Sequence, residues 1–361
     1  MRLLFALPGF HRFDRGAEVA LLAVAEHCAR AGDAVTVMGS GPSRPGTPYA
    51  FRHVPAIPRE RFERLPSLPA LRGDTAYEEA SFAPGLLARF RPGDYDATVT
   101  CSYPFTNWIL RRPTWRGKRP AHVFVTQNGD WPAVSRTSEY RWFGCDGLVC
   151  TNPDFQERNK DRWRTALIPN GTDVARFTPG PGERARFGLP ADRPVVLMVS
   201  ALIESKRVAD GIRAVAAAEG AHLVVAGDGP LRNEIDALAA ALLPGRFTRV
   251  TAAAADMPTL YRSANVFLHL SLLESFGNVF VEAMACGLPV VGHDTPRLRW
   301  IVGDDEPLVD TRSAEAVPGA IAAALAGQGK SDAAVRHQRA ECFGWDRVGA
   351  AYRDFIGELV R

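Results

Sequence analysis

Short runs of Val, Leu and Phe alternate along the chain with longer segments in which apolar residues recur every three or four positions, and the alternation occurs twice. In the first half the strand-like runs are Arg2–Leu7, Ala34–Met38, Thr98–Ser102, His122–Thr126 and Gly147–Thr151. Between the first two lies Ala17–Arg30, apolar at helical spacing and followed by Gly32, a residue suited to stop a helix. The second half restarts with Val195–Ser200, His222–Ala226, Arg249–Ala252, Val266–His269 and Val290–Gly292 as strands. Its helical segments are Val208–Glu219, Leu231–Leu243, Asn278–Cys286 and Ser313–Ala326. Near-continuous apolar strands separated by helices predict parallel sheets covered on both faces, hence an α/β protein with two doubly wound domains. The stretch from Gly39 to about Arg72 is rich in Pro, Arg and Gly, lacks a period and predicts long surface loops.

The domain boundary falls in Asn170–Pro194, where Pro179-Gly180-Pro181-Gly182 and Pro190 interrupt both periods, so the division is placed between 168 and 169. The last helix, Asp346–Val360, carries an apolar face, and a return onto the first domain is left open. A length of 361 residues agrees with two cores, because single cores stop growing near roughly 250–300 residues.

Composition narrows the function classes. The 43 basic and 40 acidic residues nearly cancel to +3, which does not predict a nucleic-acid binder. The slight surplus suits an anionic ligand or peripheral contact with an acidic membrane. No apolar stretch approaches the roughly 18–20 residues that span a bilayer. Met1–Leu7 is too short for a signal sequence and reads as a first strand, so a cytoplasmic location is expected. Cys28, Cys101, Cys145, Cys150, Cys286 and Cys342 are scattered without a Cys-x-x-Cys pair, as expected of small buried hydrophobes in a reducing compartment. The histidines are also dispersed. Asp94-Tyr95-Asp96 has the spacing of a metal-binding pair but precedes the strand Thr98–Ser102, at the amino end, opposite the expected ligand site. Neither a metal nor a cofactor is expected.

The strongest chemical signal is the segment from Glu274 to Val291. A strand ends near Leu270, a turn carries Glu274, and a helix begins about Gly277–Asn278. Glycine there allows close approach of a ligand, and free N–H groups at a helix start favour a phosphate. Glu282 falls about one turn inside the helix on the same side. Two carboxylates so placed can accept bonds from hydroxyls, which suits a sugar on one side of a diphosphate and a ribose on the other. They can also simply complement the helix dipole.

The run Gly-Asn-x3-Glu-Ala-Met-Ala-x-Gly-Leu-Pro-Val-Val closely resembles the donor-binding segment of family 4 glycosyltransferases, retaining enzymes of the GT-B fold. Arg15-Gly16-Ala17-Glu18 resembles the family's Gly-Gly-x-Glu loop. Ile168-Pro169-Asn170-Gly171-Thr172-Asp173 resembles its interdomain segment, and Gly227-Asp228-Gly229-Pro230 its Gly-x-Gly-Pro turn. The resemblance covers about Leu3 to Phe355 and is weakest between Gly39 and Arg119.

The resemblance implies an acceptor-binding Rossmann-like domain over 1–168, a nucleotide-sugar-binding one over 169–361, and an active site in the cleft between them. It implies that Glu274 holds the donor sugar, Glu282 the ribose, and the backbone of Phe276, Gly277 and Asn278 the diphosphate. Gly16 and Gly229 join the donor-binding set. The family's diphosphate clamp, an Arg and a Lys five residues apart, keeps Lys206, but Ala201 occupies the arginine's place. Arg207 is the nearest second cation, although Lys206-Arg207 can also be read as a solvated helix start. Asn128 stands where the family commonly has a histidine, and an amide can hydrogen-bond but not carry a proton. Asp130 is an alternative base, and Asn128-Gly129-Asp130 reads equally as a turn. His11, Arg12 and Arg15 are candidates to read an anionic acceptor, and Tyr103, Phe105 and Trp131 are further acceptor-side candidates.

The activity implied is metal-independent retaining transfer from a nucleotide-diphosphate sugar to a small-molecule, glycan or lipid-linked acceptor. Alternatives are a nucleotide-sugar epimerase or phosphorylase of the same fold, or a non-catalytic nucleotide-sugar-binding protein, the last prompted by Asn128 and Ala201.

Overall fold

Every strand in the computed structural model pairs in parallel, as buried Val/Leu/Phe runs joined by helices require. The structure describes residues 1–114, 117–134, 138–218, 220–272, 274–327 and 331–361. Glu219, the end of one predicted helix, lies outside the described residues.

The strands are β1 (Arg2–Ala6), β2 (Ala34–Gly39), β3 (Ala50–His53), β4 (Ala97–Thr100), β5 (Ala121–Val125), β6 (Gly147–Cys150) and β7 (Thr165–Leu167), then β8 (Val195–Val199), β9 (His222–Ala226), β10 (Phe247–Val250), β11 (Val266–His269) and β12 (Val290–Gly292). The helices are α1 (Gly16–Arg30), α2 (Asp74–Arg89), α3 (Phe105–Leu110), α4 (Pro153–Asn159), α5 (Val208–Ala217) and α6 (Arg232–Leu242), then α7 (Met257–Arg262), α8 (Asn278–Ala285), α9 (Pro296–Val302), α10 (Ala316–Leu325), α11 (Ala333–Glu341) and α12 (Trp345–Val360). One sheet runs β3-β2-β1-β4-β5-β6-β7 and the other β10-β9-β8-β11-β12.

The chain forms two compact units, Met1–Gly171 with Trp345–Arg361, and Thr172–Gly344. The division expected at 168/169 thus lies three residues before the change of unit, and the last helix groups with the first unit. Packing explains that grouping. Val348, Tyr352, Phe355 and Ile356 form a buried stripe on α12 that joins the core of Leu21, Val24 and Cys28 on α1. Gly349 allows the approach, since a Cβ there would strike the His27 ring. Arg353 also reaches Asp33 at 2.7 Å.

Alternating strand residues feed opposite layers of each sheet. Leu3 and Phe5 enter one core while Leu4 and Ala6 enter another. In the second unit Val195 and Leu197 face one layer, and Val196 and Met198 the other.

Three local expectations need correction. The stretch from Gly39 to Arg72 is not all loop, because Ala50–His53 pairs with β2 in register Thr36–Ala50 to Gly39–His53. As an edge strand with three of its four side chains exposed, it shows no apolar alternation. The strand expected at Arg249–Ala252 begins two residues earlier, at Phe247. Helix α2 was not anticipated; it contains Pro84, yet buries Phe82 and Leu86.

Candidate functional site

In the second unit the strand order reverses between β8 and β11, the place where the strand ends of an open α/β sheet diverge and leave room for a ligand. The two connections that leave there carry Lys206 and Glu274. After β8, a 3-10 turn over Glu204–Lys206 presents the lysine, and after β11 the chain turns at Glu274 before entering α8. Lys206 Nζ donates to Glu274 Oε1. His269, the last residue of β11, places Nε2 2.9 Å from the same oxygen. Against an ionised carboxylate that nitrogen must carry the proton. Burial alone would raise the Glu274 carboxyl, but the bonds from His269 and Lys206 outweigh it and lower it to about 2. The carboxylate is therefore charged at neutral pH.

Gly277 opens α8 with φ of +95° and, being glycine, contributes no capping side chain. A Cβ at that position would also meet the Phe280 ring at 2.6 Å, so glycine is required twice over. Phe276 contributes no exposed ring; its side chain is buried against Trp300 and Phe343, which leaves backbone as its available face. Asn278 is the first residue of the helix. Inside α8, Glu282 Oε2 accepts a 2.8 Å bond from Tyr261 Oη, whose ring is fully buried. Burial raises the Glu282 carboxyl and the Tyr261 bond opposes the rise.

Arg207 has a different place from that expected of a second phosphate cation. Its Nε bonds Asp210 at 2.8 Å, Nη1 bonds Leu270 O at 3.2 Å and Thr311 Oγ1 at 3.1 Å, and Nη2 bonds Thr311 O at 2.9 Å. Four of its five N–H groups are thus engaged, three of them stapling the end of β11 to the segment at Thr311. Gly229 likewise has a packing explanation, because a Cβ there would lie 2.6 Å from Leu202 O, in the loop that contains Ala201.

Sequence reasoning missed three members of this neighbourhood. These are His269, which in the sequence only closes a strand, and Tyr261 and Arg297 near the start of α9, which stand in no motif. Arg297 Nη1 donates to the Glu274 backbone oxygen, and with Ser271, Glu274, Phe280, His293 and Thr295 it lines a small pocket. A lone His closing an otherwise apolar Val-Phe-Leu run was the one signal available for His269.

In the first unit Asn128 follows β5, exposed, with Nδ2 3.8 Å from Cys101 Sγ. Its neighbour Gln127 donates to Asn170. Asp130 is held by Arg158 and Asn159, both at 2.7 Å. Gly16 begins α1 with open space where a Cβ would stand. The basic loop before it is largely self-satisfied. His11 is buried between Pro42 O at 2.9 Å and Tyr49 Oη at 2.8 Å, and Arg15 pairs with Glu18, Glu60 and Glu78. Tyr103, Phe105 and Trp131 belong to an aromatic cluster with Trp108 and Tyr140. Asp96 accepts two bonds from the Arg2 guanidinium, at 2.6 and 3.1 Å, on the amino side of the first sheet.

Residues 15–176 match the family Glycosyltransferase Family 4, and residues 181–341 match Glycosyl transferases group 1. The chain belongs to the family 4 glycosyltransferases and has their GT-B fold. Among curated relatives it is similar to the lipopolysaccharide core biosynthesis glycosyltransferase of Rhizobium meliloti, 32% identical over 202 residues. That alignment covers 55% of this chain and 58% of the relative, so it spans little more than half of each. Among solved structures the sucrose-phosphate synthase of Thermosynechococcus elongatus superposes with a TM-score of 0.78 at 22% identity, over 99% of this chain and 98% of its own. HepE of Anabaena, solved in complex with UDP and glucose, superposes with a TM-score of 0.73 at 18% identity, over 99% of this chain and all of that one. At these identities the likeness speaks for the fold. Among the described residues no helix is long and apolar enough to cross a membrane.

Proposed function

We propose that the chain is a retaining, metal-independent glycosyltransferase that moves a sugar from a nucleotide-diphosphate donor to a glycan, lipid-linked or small-molecule acceptor. The observation that carries this reading is the meeting of Lys206 and Glu274 at the switch point of the second sheet, beside the glycine start of α8. HepE, by its title, holds UDP and glucose, which supports a nucleotide sugar as donor here. The Rhizobium relative is named for lipopolysaccharide core synthesis, which supports a glycan or lipid-linked acceptor.

In this mechanism Glu282 accepts ribose hydroxyls and Glu274 accepts hydroxyls of the sugar. Phe276, Gly277 and Asn278 offer backbone N–H groups to the diphosphate, with Lys206 beside it. The bond from the anomeric carbon to the diphosphate oxygen breaks as the N–H groups and the ammonium stabilise the charge growing on that oxygen. The acceptor oxygen forms the new bond on the same face and gives up its proton to the departing diphosphate oxygen. Neither a metal nor a bound cofactor takes part, and the location is cytoplasmic.

A screen of nucleotide sugars against a broad acceptor panel tests the reading, run with and without excess chelator. The expected result is product with retained anomeric configuration in both, and loss of that product in Glu274→Ala with the fold intact. Binding of a nucleotide sugar without turnover on any acceptor would favour the non-catalytic alternative. Inverted product, or activity that vanishes with chelator, would overturn the mechanism.

A further inference from the structure

Two donors converge on Glu274 Oε1, and they differ in how firmly they are held. Lys206 sits at the end of a flexible four-carbon stem with its side chain 23% exposed. The His269 side chain is 2% exposed. Its imidazole lies nearly parallel to Phe267, 6.2 Å between centroids and 13° between planes, and takes Phe280 edge-on at 5.0 Å and 81°. Its backbone is fixed by β11, opposite Gly292 of β12. Nδ1 is buried with no partner, so Nε2 makes the one recorded hydrogen bond of this ring among the described residues, and Glu274 receives it. Both recorded bonds fall on Oε1, and the proposal gives Oε2 to the ligand.

The proposed function assigns Lys206 a second duty, beside the diphosphate. An ammonium drawn to two anionic partners cannot define the orientation of either carboxylate oxygen alone. The immobile donor can. From this geometry we propose that His269 is the positioning residue of the donor site, fixing Glu274 through Oε1 so that Oε2 faces the sugar whether or not Lys206 is engaged by the diphosphate. A leucine or valine would complete the apolar run of β11 equally well as a strand, but would leave Glu274 tied only to a mobile cation.

The proposal rests on the donor reading of Glu274, and its test separates the two. His269→Phe keeps a ring between Phe267 and Phe280 but removes the N–H. His269→Gln restores an N–H donor at a similar reach. Transfer kinetics on the wild-type chain and both variants are measured with the donor sugar identified by the screen, alongside calorimetric binding of UDP alone and thermal melts. In His269→Phe, kcat/KM for the nucleotide sugar is expected to fall at least about tenfold while the Kd for UDP shifts by less than about twofold. His269→Gln is expected to recover most of the loss.

Wild-type kcat/KM in His269→Phe, or an equal loss of UDP affinity and of transfer, would overturn the positioning role. So would a glutamine variant as impaired as the phenylalanine one. If His269→Phe fails to fold, His269→Leu takes its place under the same criteria, with His269→Gln again as the rescue. Normal transfer by Glu274→Ala would instead sink the donor reading itself, and the proposal with it.

Discussion

Tyr261 and Glu282 form a bonded pair in which the hydroxyl is sealed inside the core and the carboxylate forms its outer face, 2.8 Å apart. The tyrosine ring packs on Phe177 and Phe267, so the position of the carboxylate is inherited from the hydrophobic layer beneath it.

Removing that hydroxyl should be felt in both stability and ligand binding. Tyr261→Phe leaves a partly buried carboxylate without its donor, and the unfolding free energy should fall by about 1–3 kcal/mol. Burial already raises the Glu282 carboxyl, and the lost bond was the influence opposing it. Binding that needs ionised Glu282 should therefore weaken at a higher pH in the variant than in the wild type as the solution is acidified. Urea unfolding and UDP calorimetry over the acidic to neutral range check both statements.

The neighbours Lys206 and Arg207 should respond oppositely to truncation. Lys206→Ala should weaken UDP binding by about 1–3 kcal/mol, the scale of a charge-assisted bond, with little change in stability. Arg207→Ala removes the bonds to Leu270 O, Thr311 O and Thr311 Oγ1, so the main loss should be about 1–3 kcal/mol of unfolding free energy. Paired melts and titrations decide the matter. A larger binding defect in Arg207→Ala than in Lys206→Ala would return the arginine to the phosphate site.

Glu79 gives the first unit an alkaline weakness. Burial raises its carboxyl from the ordinary 4.5 to about 8, against hydrogen bonds from the Thr106 and Tyr103 backbone and the Ser102 side chain. A folded-state value above the unfolded one means the folded protein holds the proton longer. The associated stability is complete below about 4.5 and is lost as pH rises through about 8. Glu79→Gln should flatten that decline, as read from urea midpoints measured across the interval.

Glu274 has the opposite sign. Its carboxyl is lowered from 4.5 to about 2, so its contribution is present above 4.5 and disappears as pH falls through about 2. Glu274→Gln should remove this part of the acid sensitivity. Urea midpoints of both chains, followed by circular dichroism, should differ most above 4.5 and converge as pH falls through about 2.

The elements legible in the sequence were those with an interior signal. β1, β8, β9, β11 and α1 bury one apolar face or two, and their periods show it. β3 was invisible because an edge strand with Arg52 and His53 exposed has no alternation to read. Helix α2 was missed for a related reason, since Pro84 breaks a period that Phe82 and Leu86 otherwise keep.

Glu274, Glu282 and Gly277 were legible because a glycine–helix start flanked by carboxylates is a local pattern. The supports behind them were not. Tyr261 is 21 residues from Glu282 in sequence, and Arg297 is 23 from Glu274, so only folding brings each to its partner. The partners of Arg207 are hidden for the same reason. Its charge is visible in the sequence, but its bonds to Leu270 and Thr311 lie 63 and 104 residues away.

The return of α12 to the first unit makes the second unit an inserted cassette. Its two ends are clasped to each other, with Thr172 N–H bonded to Phe343 O at 2.8 Å and Thr172 bridged in parallel to Gly344. Just outside the clasp, Gly171 lies so close to Trp345 that a methyl group would not fit between them. Residues 172–344 can therefore be cut out as one continuous polypeptide with adjoining termini, and the remainder can be resealed by a short splice between 171 and 345. A simple carboxyl-terminal deletion is the less innocent edit, because it strips the cover from α1 and leaves the core of the first unit open to water.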